Sequence, residues 1–474
     1  MRYRSTRLLT LTLAMSVGAC TTVGPDYERP EVETGSGWID REVGEASFVD
    51  METWWTSLQD EELSRLMDEA MTAAPEVRIA EARRTRAAAL VRRAGANLRP
   101  SAQVSADATA ERQSLDANPA IGAFEGLERD QATFAIGAAA SWELDLFGGG
   151  RRSREAAFYR YQAADELVRD ANVSVALELA RLYFAMRASQ QVKTHREAIV
   201  TLRTEALFLT QLRFAEGYSS RVELETAREA LADAEAELAA VSNDPRTAAM
   251  AIATLLGKPP EAELALLEDA PDLPDIAPPP RYPQADLVRR RPDVRAAERE
   301  LAANVAGIGV VTAELFPEVS LTGGAGFRSL DLGNLMSEPS TFLSLGGLFS
   351  WRLFDSGRIR AEIDVAEADA EIALLAYEAA VVAALGEAET SFALFQTTSL
   401  QRNARERSLH SVIARREMAE ERYNQGDTDR LNYLELRSAE IESRVDLIEA
   451  REALWKAAVS LYSTLGGGWM QNDL

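Results

Sequence analysis

The sequence predicts an α+β membrane protein in which a duplicated unit supplies four strands per chain to a closed β-barrel and long helices to a coiled-coil body. The duplication is read directly. Pro75-Glu76-Val77-Arg78 returns as Pro292-Asp293-Val294-Arg295 and Leu98-Arg99-Pro100 as Leu315-Phe316-Pro317, each 217 positions on. Trp142 returns as Trp351, Gly217 as Gly426 and Leu256-Gly257 as Leu465-Gly466, each 209 positions on. The offset changes once, by eight residues, between two runs that alternate like strands, where a surface loop fits. A period of about two hundred residues is too long for a solenoid and suggests a pseudo-symmetric body.

The strands come from period-two patterning. Ala102, Val104, Ala106, Ala108 and Ala110 alternate with Ser101, Gln103, Ser105, Asp107 and Thr109. Ala132, Phe134, Ile136, Trp142, Leu144 and Leu146 alternate with Gln131, Thr133, Ser141, Glu143 and Asp145. The second copy repeats this with Val319, Leu321, Ala325 and Phe327, then Leu343, Leu345, Phe349, Trp351 and Leu353, against Ser320, Thr322, Ser344, Ser350 and Arg352. Runs of about ten residues with apolar and polar faces are the signature of outer-membrane barrels. A half-buried sheet of a soluble domain alternates in the same way; the leader described below and the pairing into two hairpins favour the barrel. Four strands cannot close a membrane barrel, which starts at about eight, and an open edge in lipid leaves backbone groups unsatisfied. Three copies, giving twelve strands, are the simplest closed cyclic solution.

The N-terminus places this body. Arg2, Arg4 and Arg7 form a positive region, Leu8 to Val17 an apolar one, and Val17-Gly18-Ala19-Cys20 a small-residue cleavage site. This fits a lipoprotein signal over residues 1–19, with an ordinary secretory signal beside a chance cysteine as the other reading. Cys20 is the only cysteine among 474 residues, so neither an intrachain disulfide nor a cysteine metal cluster is available and its evident use is as a lipid acceptor. Thr21 after it resembles lipoproteins sorted to the outer membrane. The net charge of −24 becomes about −27 once three leader arginines are lost, which argues against nucleic acid as a partner. No apolar run of about eighteen residues follows Cys20, so a membrane crossing has to use strands.

Each strand pair leads into a long helix. From Gly148 to Gly217 and from Gly357 to Gly426 there is no proline, and a helix of about sixty-five residues spans about 100 Å. Return helices follow with a seven-residue apolar repeat: Leu224, Leu231 and Leu238, then Leu434, Ile441, Ile448, Trp455 and Tyr462 with Val445 and Val459 between. Such heptads imply coiled-coil packing, although a plain soluble bundle shares the periodicity. Pro245 is expected to bend the first return helix, where the second copy has Leu454. The domains then read as 1–19 signal; 20–60 lipidated extended segment; 61–257 first repeat, with strands near 100–112 and 131–147; 258–291 proline-rich linker; 292–466 second repeat, with strands near 317–328 and 341–354; and 467–474 tail.

These residues resemble the TolC-like outer-membrane factors of tripartite efflux systems, in their lipoprotein branch. The carriers are Cys20-Thr21-Thr22-Val23-Gly24-Pro25-Asp26-Tyr27-Glu28-Arg29-Pro30, Trp54-Trp55 with Leu58, Asp60, Leu63 and Leu66, and Trp142-Glu143-Leu144-Asp145-Leu146-Phe147-Gly148. Arg213-Phe214 through Gly217 to Ser220, Leu255-Leu256-Gly257, Phe354-Asp355-Ser356-Gly357-Arg358 and Arg422-Tyr423-Asn424-Gln425-Gly426 complete them. The resemblance covers nearly the whole mature chain. It implies a homotrimer with a twelve-stranded barrel in outer-membrane lipid, a twelve-helix periplasmic α-barrel closed at its far tip, and an equatorial region. It also implies a periplasmic adaptor and an inner-membrane RND-type pump as partners, and passive export of small molecules such as drugs. Protein secretion is the neighbouring alternative, and a lipid-anchored periplasmic coiled-coil scaffold without a pore is the alternative of another class.

Function should concentrate at the far tip, where both hairpins turn at glycine. Glu216, Glu223 and Glu225 with Arg213, Arg221 and Arg228, then Asp427, Asp429 and Glu435 with Arg422, Arg430 and Arg437, suggest ion pairs, or simply solvated helix ends. The resemblance implies a periplasmic gate at Leu431 and Glu435, with Arg437, Asp427, Asp429, Glu223 and Arg221 around it; Ser438 stands where some relatives carry an arginine. Gly217, Ser219, Ser220, Gly426 and Thr428 are expected at the adaptor contact. Trp142 and Trp351 fit an aromatic girdle or the junction between strands and helices. His195 and His410, expected to face solvent, lack ligand partners at metal spacing, and Gly148-Gly149-Gly150 lacks the lysine of a phosphate loop. No enzymatic activity, metal or cofactor is expected beyond the covalent lipid on Cys20.

Overall fold

The computed structural model describes residues 22–31, 53–114, 116, 129–274, 276 and 284–468. Cys20, the leader and the end of the tail lie outside the described residues. The chain divides into two compact units, one gathering Arg84–Ala163 and Ala297–Tyr377 with the described part of 1–30, the other the remainder. Each unit draws on both sequence repeats, because equivalent elements of the two copies pair with one another.

In the first unit that pairing is a four-stranded antiparallel sheet in the order β1 (Ser101–Arg112), β2 (Asp130–Leu144), β3 (Glu318–Ser329), β4 (Thr341–Ser350). The central β2–β3 contact joins the copies: Ile136 lies opposite Phe327 and Trp142 opposite Leu321. Register keeps the apolar residues on one face, since Val104, Ala138, Ala325 and Leu343 form one cross-strand row. Leu343 and Leu345 on that face are 86% and 90% exposed, a surface that water does not stabilise. Residues 113–129 separate β1 from β2 and 330–340 separate β3 from β4, so the extra residues of the first copy lie between strands, mostly outside the described residues.

Below the strands the two copies repeat one contact. The Trp142 indole donates to the Leu98 carbonyl at 3.1 Å, and Trp351 to that of Leu315 at 3.0 Å. Both tryptophans therefore fasten a strand end to the Leu-x-Pro that ends the preceding helix. The segment 22–31 is tied down by buried Arg152, which donates to the Val23 carbonyl at 3.1 Å, the Gly24 carbonyl at 3.3 Å and Asp26 at 2.6 Å. Buried Glu298 accepts from Tyr27 at 3.1 Å and pairs with Arg29 at 3.1 Å. Burial and Glu298 push the Tyr27 phenol well above its usual range.

The helices are α1 (Glu61–Ala73), α2 (Pro75–Ala96), α3 (Gly149–Ala215), α4 (Arg221–Val241), α5 (Asp244–Leu255), α6 (Gln284–Arg290), α7 (Pro292–Ala313), α8 (Arg358–Asn424) and α9 (Arg430–Thr464). Pro245 interrupts the first return helix. The helix stops at Val241 and α5 restarts at Asp244 with proline in its first turn, the one place where a missing N–H costs nothing. In the second copy Leu454 is buried and α9 runs unbroken. All five heptad residues of α9, Leu434 to Tyr462, are buried in the second unit. On α4 only Leu224 and Ala234 are buried, so the two return helices share a pattern but not an environment. In the same unit Trp54 stacks on Tyr462 with ring centroids 5.0 Å apart, and Asp60 caps α1 while accepting from Tyr183 at 2.7 Å. In the described part of the proline-rich linker, Pro260–Leu267 forms a 3-10 segment whose buried Glu263 is held by Lys258 and Arg65.

Gly24 has φ of +85°, and a Cβ there would fall 2.4 Å from the Gly309 Cα, backbone against backbone. Gly24→Ala should therefore lift residues 22–26 away from Arg152. Chymotrypsin cleavage after Tyr27 in detergent-solubilised protein should become several-fold faster, and an unchanged rate would mean that Arg152 alone holds the segment.

Candidate functional site

The two hairpin tips in the second unit have one backbone design. The Gly217 φ of +73° and Gly426 φ of +82° place both in the left-handed region that ends helices. The Tyr218 N–H donates to the Arg213 carbonyl and the Asp427 N–H to that of Arg422, both at 2.8 Å, and the glycine N–H groups bond one turn back. This is the Schellman arrangement, and an N-cap follows three residues later in each copy. Ser220 caps α4 through a capping box with Glu223; Asp429 caps α9 by accepting from the Asn432 N–H at 2.9 Å.

The caps differ in charge, and the difference links the hairpins. Asp429 pairs with Arg213 at 2.8 Å, joining the end of α3 to the start of α9. Arg430 reaches Glu205 on α3 at 2.9 Å while its guanidinium sits 5.5 Å from the Tyr423 ring and 5.0 Å from that of Tyr433. Farther from the tip, Arg196 of α3 forks to Glu237 of α4 at 2.6 Å and Glu442 of α9 at 2.8 Å. Within the second hairpin buried Glu440 accepts from Arg416 at 2.8 Å and pairs with Arg444 at 2.7 Å. Three ionic ties therefore run between the first and second hairpins of a single chain.

The expected gate residues divide into two groups. Asp429 belongs to the tie just described. Glu223 closes the capping box: its carboxylate accepts from the Ser220 N–H, a bond that also holds its pKa below the usual glutamate range. Arg221 lies 3.9 Å from Glu225 on its own helix. Glu435, Arg437 and Asp427 are exposed and Leu431 half-buried. Among the described residues Glu435 has no ion pair within the chain. Ser438 is buried, with no partner for its hydroxyl.

The expected docking residues also carry structural duties. Ser220 is a cap, and the Thr428 hydroxyl accepts from the Asn432 amide at 3.0 Å. Gly217 and Gly426 have open space around them, and a Cβ added at either would meet nothing within 4 Å. Ser219 is half-buried beside the cap. Tyr218 and Val222, not singled out from the sequence, are 78% and 75% exposed beside the first turn. Apolar groups flanking a turn glycine in a charged stretch were the available signal. His410 is exposed as expected. His195 departs from its expectation: it is half-buried, and desolvation followed by the Arg444 charge lowers its pKa. No group of three His, Cys, Asp or Glu side chains suited to a metal occurs among the described residues.

The outer membrane efflux protein family model matches residues 66–258 and 285–467. The solvent efflux pump outer membrane protein SrpC of Pseudomonas putida is 28% identical over 479 residues, covering 99% of each chain. The cation efflux system protein CusC of Escherichia coli is 27% identical over 473 residues, covering 98% of this chain and 99% of its own. Among solved structures, the outer-membrane channel OprN superposes with a TM-score of 0.81 at 31% identity, covering 94% of this chain and 99% of that one. The open state of the Neisseria gonorrhoeae MtrE outer membrane channel gives 0.81 at 25% identity over 96% and 100%.

Asp429→Asn keeps a capping side chain but removes the charge facing Arg213. The backbone N–H of Asn432, then Arg213, hold the Asp429 carboxyl below its ordinary range. The tie is thus intact above the usual aspartate value of about 3.9 and is lost as pH falls through the lowered one. Asp429→Asn should raise the open fraction of the isolated channel in planar bilayers by up to about fivefold at neutral pH, the limit for an exposed pair. Acid should reproduce the effect in the parent and add little in the variant.

Proposed function

The chain belongs to the outer membrane efflux protein family, and on that footing we propose that three copies form a sealed duct through which an inner-membrane RND-type pump discharges small solutes. A periplasmic adaptor opens the duct at the hairpin tips. The observation that carries this reading is the sheet: β1 and β4 are its two edges, and one face is apolar and exposed. Pairing β4 of one copy with β1 of the next satisfies the edges and turns Leu343, Leu345 and Val104 toward lipid. The thinly buried α4 leaves apolar positions for a neighbouring copy to cover. Relatives named for solvents and cations favour small solutes over protein secretion.

Cys20, in this reading, carries the lipid that holds the N-terminus at the membrane, and the Arg152 clamp on Val23, Gly24 and Asp26 keeps that anchor close to the first unit. The adaptor meets Gly217, Ser219, Ser220, Gly426 and Thr428, with Tyr218 and Val222 as its apolar contacts. Three copies of exposed Glu435 converge on one axis and form a cation-favouring ring at the constriction. Their counter-charges come from a neighbouring copy, with Arg437 available for that role.

The test is the particle and its conductance. Purified protein should have the mass of three chains, label with acyl donor through Cys20 and conduct in planar bilayers; monomeric, non-conducting protein would support a scaffold instead. Glu435→Ala should raise conductance and reduce cation selectivity, while Glu417→Ala, an exposed acid before the tip, should change neither. Tyr218→Asp should lower export and adaptor crosslinking several-fold without altering bilayer conductance, since that side chain caps nothing.

A further inference from the structure

A concavity of about 570 Å³ lies on the polar face of the sheet, lined among others by Gln103, Ser105, Asp107, Arg328, Phe342 and Ser344. Phe342 breaks the alternation that governs the other strands. It occupies the polar face in the row of Ser105, Gly137 and Gly326. The glycines give the ring its place: a Cβ would lie 3.2 Å from it at Gly137 and 3.0 Å at Gly326, so an aromatic side chain rests flat against the bare backbone. The Arg328 guanidinium then stands over this ring, 5.4 Å from its centroid.

Arg328 is the cation of the patch. It is exposed and, among the described residues, its side chain has no ion pair or hydrogen bond. A guanidinium has two flat faces and keeps its charge at any physiological pH, so one face on Phe342 leaves the other for a second planar group. Its row continues through Ala135 to Asp107, two inter-strand spacings or about 10 Å away. Only the Ala135 methyl lies between, so a flat group fits there with a cation at one end. The carboxylate at the other end disfavours a second negative charge. Hydroxyls of Ser105 and Ser344 and the Gln103 amide supply further polar contacts. The first repeat has Glu111 and Thr133 at the positions equivalent to Arg328 and Phe342, so each chain carries the pair once.

We propose that Phe342 and Arg328 form a solute site on the wall of the duct, selective for planar aromatic monoanions. The proposal rests on the reading that the polar face lines a conducting lumen. The same full-length protein in planar bilayers tests both. Ionic conductance of the unmodified protein in potassium chloride establishes the lumen; its absence overturns that reading and the site with it. With channels present, benzoate should reduce single-channel current at about tenfold lower concentration than acetate, the scale of a stacking and cation–π contribution. Arg328→Gln, a change at an exposed side chain, and Phe342→Leu should each abolish the difference while conductance in potassium chloride persists. Equal action of benzoate and acetate on the unmodified channel, or a difference retained in Arg328→Gln, overturns the site independently of the duct.

Discussion

Backbone groups at the free edges of β1 and β4 have no partner within the four-stranded sheet, and in hydrocarbon each such group costs several kcal/mol. Water would relieve the edges, but it would also meet a face on which Leu343 and Leu345 are almost fully exposed. The two requirements are compatible only when the sheet continues into further strands and its apolar face meets lipid. Much else in the first unit follows from this. The tryptophan bonds at Leu98 and Leu315 hold both hairpins in one relation to their helices, so that edges from separate chains can meet in register. The clamp on residues 22–26 keeps the N-terminal segment packed against the same unit.

Duplication supplies the backbone, and divergence of side chains supplies the function. Gly217 and Gly426 close their helices with the same hydrogen bonds, and the caps fall at equivalent positions. A neutral serine at the first cap leaves α4 tied mainly to itself through Glu223. An aspartate at the second meets the same geometric need and also presents a charge to Arg213. The break at Pro245 and the unbroken, deeply buried α9 extend the asymmetry along the helices. A symmetric duplicate would give two equivalent hairpins; these differences let one be held against the other.

The parts of this design that repeat locally were legible in the sequence. Strand parity predicted the face of nearly every residue in β1 to β4, because a pleated strand leaves no other choice once one face is apolar. Turn glycines and heptads located the hairpins for the same reason. The capping box at Ser220 was also legible, as serine followed by glutamate three residues on. Phe342 stood out of parity and passed unnoticed. What the sequence could not supply were pairings between distant positions, such as Arg213 with Asp429 or Arg152 with Val23. Nothing periodic marks such partners; an arginine in a charged stretch has many possible acids, and only the packing of the helices selects one. The half-burial of His195 belongs to the same class, since its own helix gives no sign of what packs beside it.

The ties at the tip are weak one by one, and that suits the opening proposed for the duct. Arg213 with Asp429 and Arg430 with Glu205 are largely solvent-exposed pairs, each worth under about 1 kcal/mol. The tyrosines beside Arg430 add about 0.5–1 kcal/mol as a cation–π contact. Arg196 is better shielded, and its fork ties α4 and α9 through one guanidinium. The sum for one chain is then on the order of 2–4 kcal/mol, against about 5.5 kcal/mol needed to carry a two-state equilibrium from one extreme to the other. A partner that binds the parted hairpins a few hundredfold more tightly than the joined ones can reverse such a balance without supplying energy of its own. A deeply buried ion pair at the same place would resist, because separating it strands uncompensated charge in the interior. Exposure of the tip contacts is therefore what makes the hairpins separable, and the buried apolar face of α9 is what keeps each chain folded while they separate.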